Sequence, residues 1–383
     1  MQVTPESEAA ARAADSGEAV EVEESRSETT QVFANPDGTF TQTMNAAPVR
    51  ARKSDGSWAG IDTSLERTDS GRIQAKSTTA EVSFSGGGPG SGMVRLQKEG
   101  KSLALGWPDA LPEPRLNADA ATYADVLPGV DLQLTATSTG FTQVLVIKTA
   151  DAAENPRLEQ LHMSVDTDGV RMLPGVGGGL RFVDDDGGKV FEAPAGHMWD
   201  SAGDGATADM ATPSVARSAE RAVAASEDSA SNPANPEAPS DGPSSGDKTA
   251  ALPVQITEGG LAIVPDLKLL RGADTVYPVY VDPPVSGLTR SDWTALSSDG
   301  DKFWEFKGDK GTGYCKDYAG YLCSSTPYRQ RLFFEYPLAS LYGKKVVDAT
   351  FSQAVVVPRD SVAGRTWVPG WVIGSWPVNE RRA

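Results

Sequence analysis

Few side chains in this sequence of 383 residues are equipped for chemistry, and their spacing limits what that chemistry can be. Both cysteines lie in Gly313-Tyr-Cys-Lys-Asp-Tyr-Ala-Gly-Tyr-Leu-Cys323. Zinc asks for about four ligands, and two cysteines with two distant histidines, His162 and His197, leave that set short. The Cys-x7-Cys spacing is also wider than the Cys-x-x-Cys of a redox site. A disulfide fits better. The short loop contains Gly320 and can bring the two Cα atoms to bonding distance. Closing it would remove about 2–3 kcal/mol of chain entropy from the unfolded state. A Cys315–Cys323 disulfide is therefore expected, and with it an oxidising compartment.

Catalytic arrangements are harder to find. His162 lies in a strand pattern, Leu161-His-Met-Ser-Val165, and His197 follows a Pro-Ala-Gly turn. Neither has a catalytic partner nearby in sequence, so both read as structural. Gly242-Pro-Ser-Ser-Gly246 matches a nucleophile elbow, but it sits in a tract too polar to build the strand and helix that strain such a serine. The clusters Gly86-Gly-Gly-Pro-Gly-Ser-Gly92 and Gly175-Val-Gly-Gly-Gly179 lack the spacing of a nucleotide loop and read as flexible loops. The acidic turns Asp166-Thr-Asp-Gly169, Asp184-Asp-Asp-Gly187 and Asp299-Gly-Asp301 could hold calcium. None continues to the glutamate that closes a full calcium loop, and Asp-Gly is what hairpins prefer anyway. No cofactor is expected, calcium being the weaker alternative. No spacing singles out a carboxylate pair for glycoside hydrolysis. The residues point away from an enzyme.

What remains is aromatic. Tyr314, Tyr318, Tyr321 and Tyr328 lie in and beside the cysteine loop, with Trp293 and Trp304 not far before it. Aromatic faces on a rigid loop stack on sugar rings, which makes these six residues candidates for glycan binding. The competing reading is that they form the core of a small domain, where aromatic side chains bury large areas. Both readings stand at this point.

The elements that would carry them are strands. Turn dipeptides Asp37-Gly38, Asp55-Gly56, Asp168-Gly169 and Asp186-Gly187 predict hairpins between short apolar runs. Ala80–Phe84, Ser102–Trp107 and Leu180–Val183 are such runs. Val130, Leu132, Leu134 and Ala136 alternate onto one face, and Phe141–Lys148 is apolar on both faces, as a central strand should be. The expected fold is all-β, two tandem antiparallel β-sandwich-like domains. Residues 1–28 hold little apolar bulk and predict a disordered spacer. Residues 29–282 form the first domain. Within it, residues 201–250 are rich in Pro, Ser, Ala and acidic residues, without an aromatic, and predict a long disordered insertion. Strands resume at Val254–Ile256, Leu261–Val264 and Val276–Val281 and should return to the same sheets. Residues 283–383 form an aromatic-rich second domain. There Lys302–Phe306 and Arg331–Tyr336 should flank the cysteine loop as neighbouring strands, and Val346–Phe351 is a further strand.

Charge narrows the partners. Aspartate and glutamate number 52 against 35 lysines and arginines, a net charge of -17. That field disfavours nucleic acid and anionic lipid. No stretch is long and apolar enough to span a bilayer as a helix. The first residues are polar and acidic rather than those of an export signal, so the literal reading is cytoplasmic. The expected disulfide argues for export and for a start that lies further upstream.

Several stretches together resemble a known family. Ala121-Thr-Tyr-Ala-Asp-Val-Leu-Pro-Gly-Val-Asp-Leu132 and Gly140-Phe-Thr-Gln-Val-Leu-Val-Ile-Lys148 look like the N-terminal region of large secreted actinobacterial proteins. Those proteins carry laminin-G-like (LamG) jelly rolls or recombination-hot-spot (RHS) repeats further along. Phe191-Glu-Ala-Pro194, Met198-Trp-Asp200, Leu261-Ala-Ile-Val-Pro-Asp266 and Tyr277-Pro-Val-Tyr-Val-Asp-Pro283 continue the likeness. Gly313-Tyr-Cys315, Cys323, Arg331-Leu-Phe-Phe-Glu-Tyr336, Leu341-Tyr-Gly-Lys344 and Asp348-Ala-Thr-Phe351 resemble the start of a DNRLRE-type β-sandwich, a module related to carbohydrate-binding modules. After Gln353 the likeness stops, and the ending reads as truncated or frameshifted, leaving the second domain incomplete. The resemblance implies an extracellular or cell-wall, non-catalytic scaffold with a polysaccharide or cell-wall glycan as partner. The alternatives are the head of an RHS-type toxin-delivery protein without its effector and, last, a glycoside-active enzyme.

Overall fold

The computed structural model describes residues 3–45, 47–89, 92–175, 178–193, 195–202, 243, 247–282, 286–287, 293–298, 302–304, 313–315, 328–334, 341–348, 350–353 and 372–375. Their architecture is all-β and antiparallel, as the sequence predicts.

The chain opens with a surprise. Residues 5–16, expected to be a disordered spacer, form helix α1 (Pro5–Ser16). Thr4 and Ser7 make a reciprocal capping box, Pro5 stands at the first turn, Glu6 and Glu8 favour the helix dipole, and Gly17 closes the end in the left-handed conformation. Ala9 and Ala13 fall on one face and are fully buried with Val22, Val32 and Ala34. Two alanines four residues apart let the helix lie close on a sheet, so low apolar bulk did not mean disorder. That sheet joins β1 (Val20–Glu21), β2 (Thr30–Ala34) and β3 (Phe40–Met44), and so it begins inside the segment read as spacer. A hairpin of β4 (Arg50–Arg52) and β5 (Trp58–Gly60) follows.

The main body is a pair of large sheets. β6 (Asp62–Arg67), β7 (Ile73–Ser77), β8 (Glu81–Phe84), β9 (Val94–Lys98) and β10 (Lys101–Gly106) run as successive neighbours in the first. β11 (Arg115–Asn117), β12 (Ala120–Leu127), β13 (Val130–Ala136) and β14 (Phe141–Ile147) begin the second. After the short helix α2 (Ala150–Ala153), β15 (Leu161–Asp168) returns to pair with β10. β16 (Arg171–Pro174), β17 (Leu180–Val183) and β18 (Lys189–Ala193) form a third, smaller sheet. β19 (Gly196–Trp199) then joins the second sheet.

The strands beyond the acidic tract settle where that tract belongs. β20 (Thr249–Leu252) pairs with β19, and β21 (Val254–Thr257) and β22 (Gly260–Ile263) extend the first sheet through β15. After helix α3 (Leu267–Leu270), β23 (Val279–Asp282) slots between β14 and β19, and β24 (Ser286–Gly287) adds to the third sheet. Both sheets therefore contain strands from either side of residues 203–242, which makes the tract an insertion within one unit.

One continuous core lies between the sheets. Val82, Phe84, Leu96, Leu103 and Leu105 meet Tyr123, Leu132, Leu134, Phe141 and Leu145, while Phe182 and Phe191 of the third sheet close one side. Phe84 and Phe141 meet edge to face with ring centroids 6.2 Å apart. The Tyr123 hydroxyl donates to the Ser85 carbonyl at 2.6 Å, a partner its burial demands.

Some local expectations need correction. Asp37-Gly38, Asp55-Gly56 and Asp186-Gly187 do turn hairpins, each with a positive glycine φ. Asp168-Gly169 instead carries the chain from the first sheet to the third, because β15 pairs with β10 and β22 and not with β16. The glycines at 86–88 are packed rather than loose. A Cβ on Gly86 would fall 1.9 Å from the Gly71 carbonyl oxygen, and Gly88 bridges to Leu111. A Cβ on Gly175 would likewise meet the backbone of Gly179 at 2.9 Å.

In the C-terminal part, β25 (Trp293–Ser297), β26 (Lys302–Trp304), β27 (Gly313–Cys315) and β28 (Tyr328–Phe334) form a sheet of order β26-β25-β28-β27. The two strands expected to be neighbours around the cysteines are thus separated by β25, and Gly313–Cys315 is a strand of its own on the far edge. β29 (Thr350–Gln353) and β30 (Val372–Ser375) pair separately. Val346 and Val347, read as the start of a strand, precede β29 and are exposed.

Candidate glycan face and the buried polar groups

The four-stranded sheet gathers four of the six aromatic candidates, and its register sorts them. Thr294 of β25 stands opposite Trp304 on one side and Phe333 on the other. Leu296 stands opposite Lys302 and Arg331. Tyr314 of β27 stands opposite Arg329. Directly paired residues share a face and alternate residues along a strand return to it. Trp304, Phe333, Lys302, Leu296, Arg331, Arg329 and Tyr314 therefore occupy one face. Trp293, paired with Phe334, and Tyr328, paired with Cys315, occupy the other, along with Leu332 and Phe303.

Exposure tells which face meets solvent. Phe333 is 47% exposed and Leu296 38%, and Arg329 and Arg331 are exposed as well, whereas Leu332 is half-buried. The two sequence readings of the aromatic residues thus divide by register. Trp304 and Tyr314 are placed as a platform would be; Trp293 and Tyr328 are placed as a core would be. Tyr318, Tyr321 and Cys323 lie outside the described residues, so the disulfide partner of Cys315 does too.

The remaining candidates are not brought together. His162 is exposed on β15 of the first sheet and His197 is exposed on β19 of the second. His162, Ser164 and Asp166 share one face of β15, but alternate strand residues stand about 6.8 Å apart, beyond hydrogen-bond reach along a flat strand. Asp184 is engaged by the Lys101 ammonium at 3.1 Å and the Gly188 amide at 2.7 Å, which together hold its carboxyl below the usual range. Among the described residues no three His, Cys, Asp or Glu side chains converge on a metal position. The Asp299–Asp301 turn lies outside the described residues, as does the Gly-Pro-Ser-Ser-Gly string apart from Pro243.

Sequence reasoning missed a set of buried polar groups on the outer face of the second sheet. Asp131, Val146, Tyr280 and Trp199 lie in one cross-strand row, and the last two rings stack at 5.4 Å. Asp131 is 2% exposed; it accepts from Lys148 Nζ at 2.6 Å and from the Asp125 amide at 2.8 Å. Lys148 also reaches Asp125 at 3.2 Å. Burial alone would weaken its charge, but the two carboxylates outweigh that and raise its pKa. Gly129, whose Cβ would fall 2.8 Å from that of Ala152, completes the turn between β12 and β13. The motif that carries the family resemblance is thus spent on folding: Tyr123 crosses the core, Asp125 and Asp131 hold Lys148, and Gly129 admits α2.

In the adjacent row, Asp282 stands opposite His197. Its Oδ1 is sealed from solvent without a hydrogen-bond partner, and desolvation pushes its pKa up to about 7. An acid and an imidazole facing each other have the residue types of a proton-transfer pair. The sealed oxygen, however, leaves no path for a substrate atom. Asp200, fully buried, accepts from the amides of Lys248 at 2.7 Å, Ala202 at 3.2 Å and Val276 at 3.2 Å. It clasps the base of the insertion. No sequence signal separates these aspartates from the many others, beyond their position in or just after predicted strands.

An open cleft beside α1, lined by Glu8, Arg12, Glu23 and Glu24, gathers carboxylates around one guanidinium. Comparison with family models, with curated proteins and with solved structures returns no match.

Proposed function

We propose that this chain is the N-terminal scaffold and binding region of a secreted or cell-wall-associated protein, and that its C-terminal sheet holds polysaccharide. The observation that carries the reading is the exposed face of β25–β28, where Trp304 and Tyr314 share register with solvent-exposed Phe333, Arg329 and Arg331. Flat aromatic groups beside hydrogen-bonding cations suit a sugar ring, which offers an apolar face and a polar rim. The large sandwich supports this role by rigidity: its buried polar groups are spent on folding, and no reactive cluster opens to solvent among the described residues. The LamG, RHS and DNRLRE resemblance, and export with it, belong to the same proposal.

The test is retention on immobilised polysaccharides. Trp304→Ala and Tyr314→Ala should each weaken retention about tenfold while leaving the unfolding midpoint nearly unchanged. Trp293→Ala and Tyr328→Ala, on the opposite face, should lower the midpoint first. Failure of the full chain to bind any polysaccharide, or equal losses from both faces in folded protein, overturns the reading.

A further inference from the structure

We infer that the polysaccharide taken by this face is a polyuronate, one that carries its carboxylates on the sugar rings themselves. The inference rests on the glycan reading above and adds the ligand's charge. In a chain of net charge -17, a solvated face should show mixed or acidic positions. The exposed side of the first sheet does, with Glu81, Asp166 and Asp168 around Arg95. The β25–β28 face does not. Its register positions hold Lys302, Arg329 and Arg331 and no acid, while the opposite face of the same strands holds no charge at all. Cations have been sorted to the side where the aromatic positions stand.

The spacing suits a polymer in which every charged unit is also a ring. Arg329, Arg331 and Phe333 follow one another along β28 at about 6.8 Å intervals. Tyr314 stands beside Arg329, and Trp304 lies in the row of Phe333. Each arginine therefore has an aromatic position within one register step. A guanidinium grips a carboxylate through paired N–H donors, and the neighbouring ring takes the sugar's apolar face. A neutral glucan would leave the cations unused. A polyol phosphate chain would supply charge but no ring for the aromatic positions. A uronate uses both.

The experiment measures retention of the full chain on polygalacturonate, a neutral glucan and a glycerol-phosphate polymer, at rising salt. The expected result is preferential, salt-sensitive retention on polygalacturonate, weakened about fivefold by Arg331→Gln and again by Arg329→Gln. Arg331→Lys should recover part of it, which a folding defect would not allow. Equal, salt-insensitive retention on the neutral glucan would leave the glycan reading standing and overturn the charge. Equal retention on the phosphate polymer would overturn the choice of a ring-borne carboxylate. Binding to none of the three, with the variants folded, would remove both readings.

Discussion

Asp282 ends β23 with a carboxyl oxygen that neither solvent nor a hydrogen bond satisfies. The neutral acid is the form the fold tolerates, so its pKa rises to about 7 from an ordinary 3.8. In the unfolded chain the group ionises near its ordinary value. The stability linked to it is therefore complete below about pH 4 and is lost as pH rises through about 7. The loss is on the order of a few kcal/mol. Asp282→Asn removes the ionisation, so its urea midpoint should stay level between pH 5 and pH 8 while that of the parent falls. A parent profile that rises across that interval would show the carboxyl to be ionised and paired. Little of this was readable in advance: the Tyr-Val-Asp-Pro string predicts a strand end, and only the packing of the second sheet seals the oxygen. The aromatic candidates were legible as a group for the opposite reason, since residue type marks them. Their division into two faces required the register.

At the scale of elements, the strands were the legible part, because β-branched alternation and Asp-Gly turns are local signals. Pairing was less so. Asp168-Gly169 has a hairpin's sequence and serves a sheet change, and β25 intervenes between two strands that sequence order made neighbours. The helix α1 escaped a reading based on apolar bulk, since two alanines at helical spacing carry its whole contact. The insertion shows an element defined by its ends. Trp199 pairs with Thr249, the Asp200 amide donates to the Lys248 carbonyl at 3.1 Å, and the Ser201 hydroxyl donates to the Pro278 carbonyl at 2.6 Å. Replacing residues 203–246 by a four-residue Gly-Ser linker should keep the fold and, through a shorter loop to close, raise stability by about 1–2 kcal/mol. Urea titration checks it. A collapse of the midpoint would show that the tract packs on the body. Asp200→Ala should cost more than the whole excision, because it strands three buried amides at once.

Across the whole molecule, the cysteine pair decides the compartment and hence the plausibility of the proposed function. If Cys315 and Cys323 are joined, protein secreted through an added export signal should resist alkylation until reduced, and its intact mass should then shift by two alkyl groups. Alkylation before reduction in folded protein would put the chain in a reducing environment and remove the case for a wall partner. The sandwich itself is indifferent to that result, since its core involves neither cysteine. No helix among the described residues is long and apolar enough to cross a membrane.

The last strand of that sandwich to be made is not at an edge. β23 lies between β14 and β19, so Val279 and Val281, both fully buried, complete a sheet whose other strands were all synthesised earlier. A nascent chain lacking those residues has a gap at the centre of its second sheet and cannot close its core. The body therefore matures only after almost three hundred residues have left the ribosome, and until then it stays open enough to be threaded through a narrow export channel.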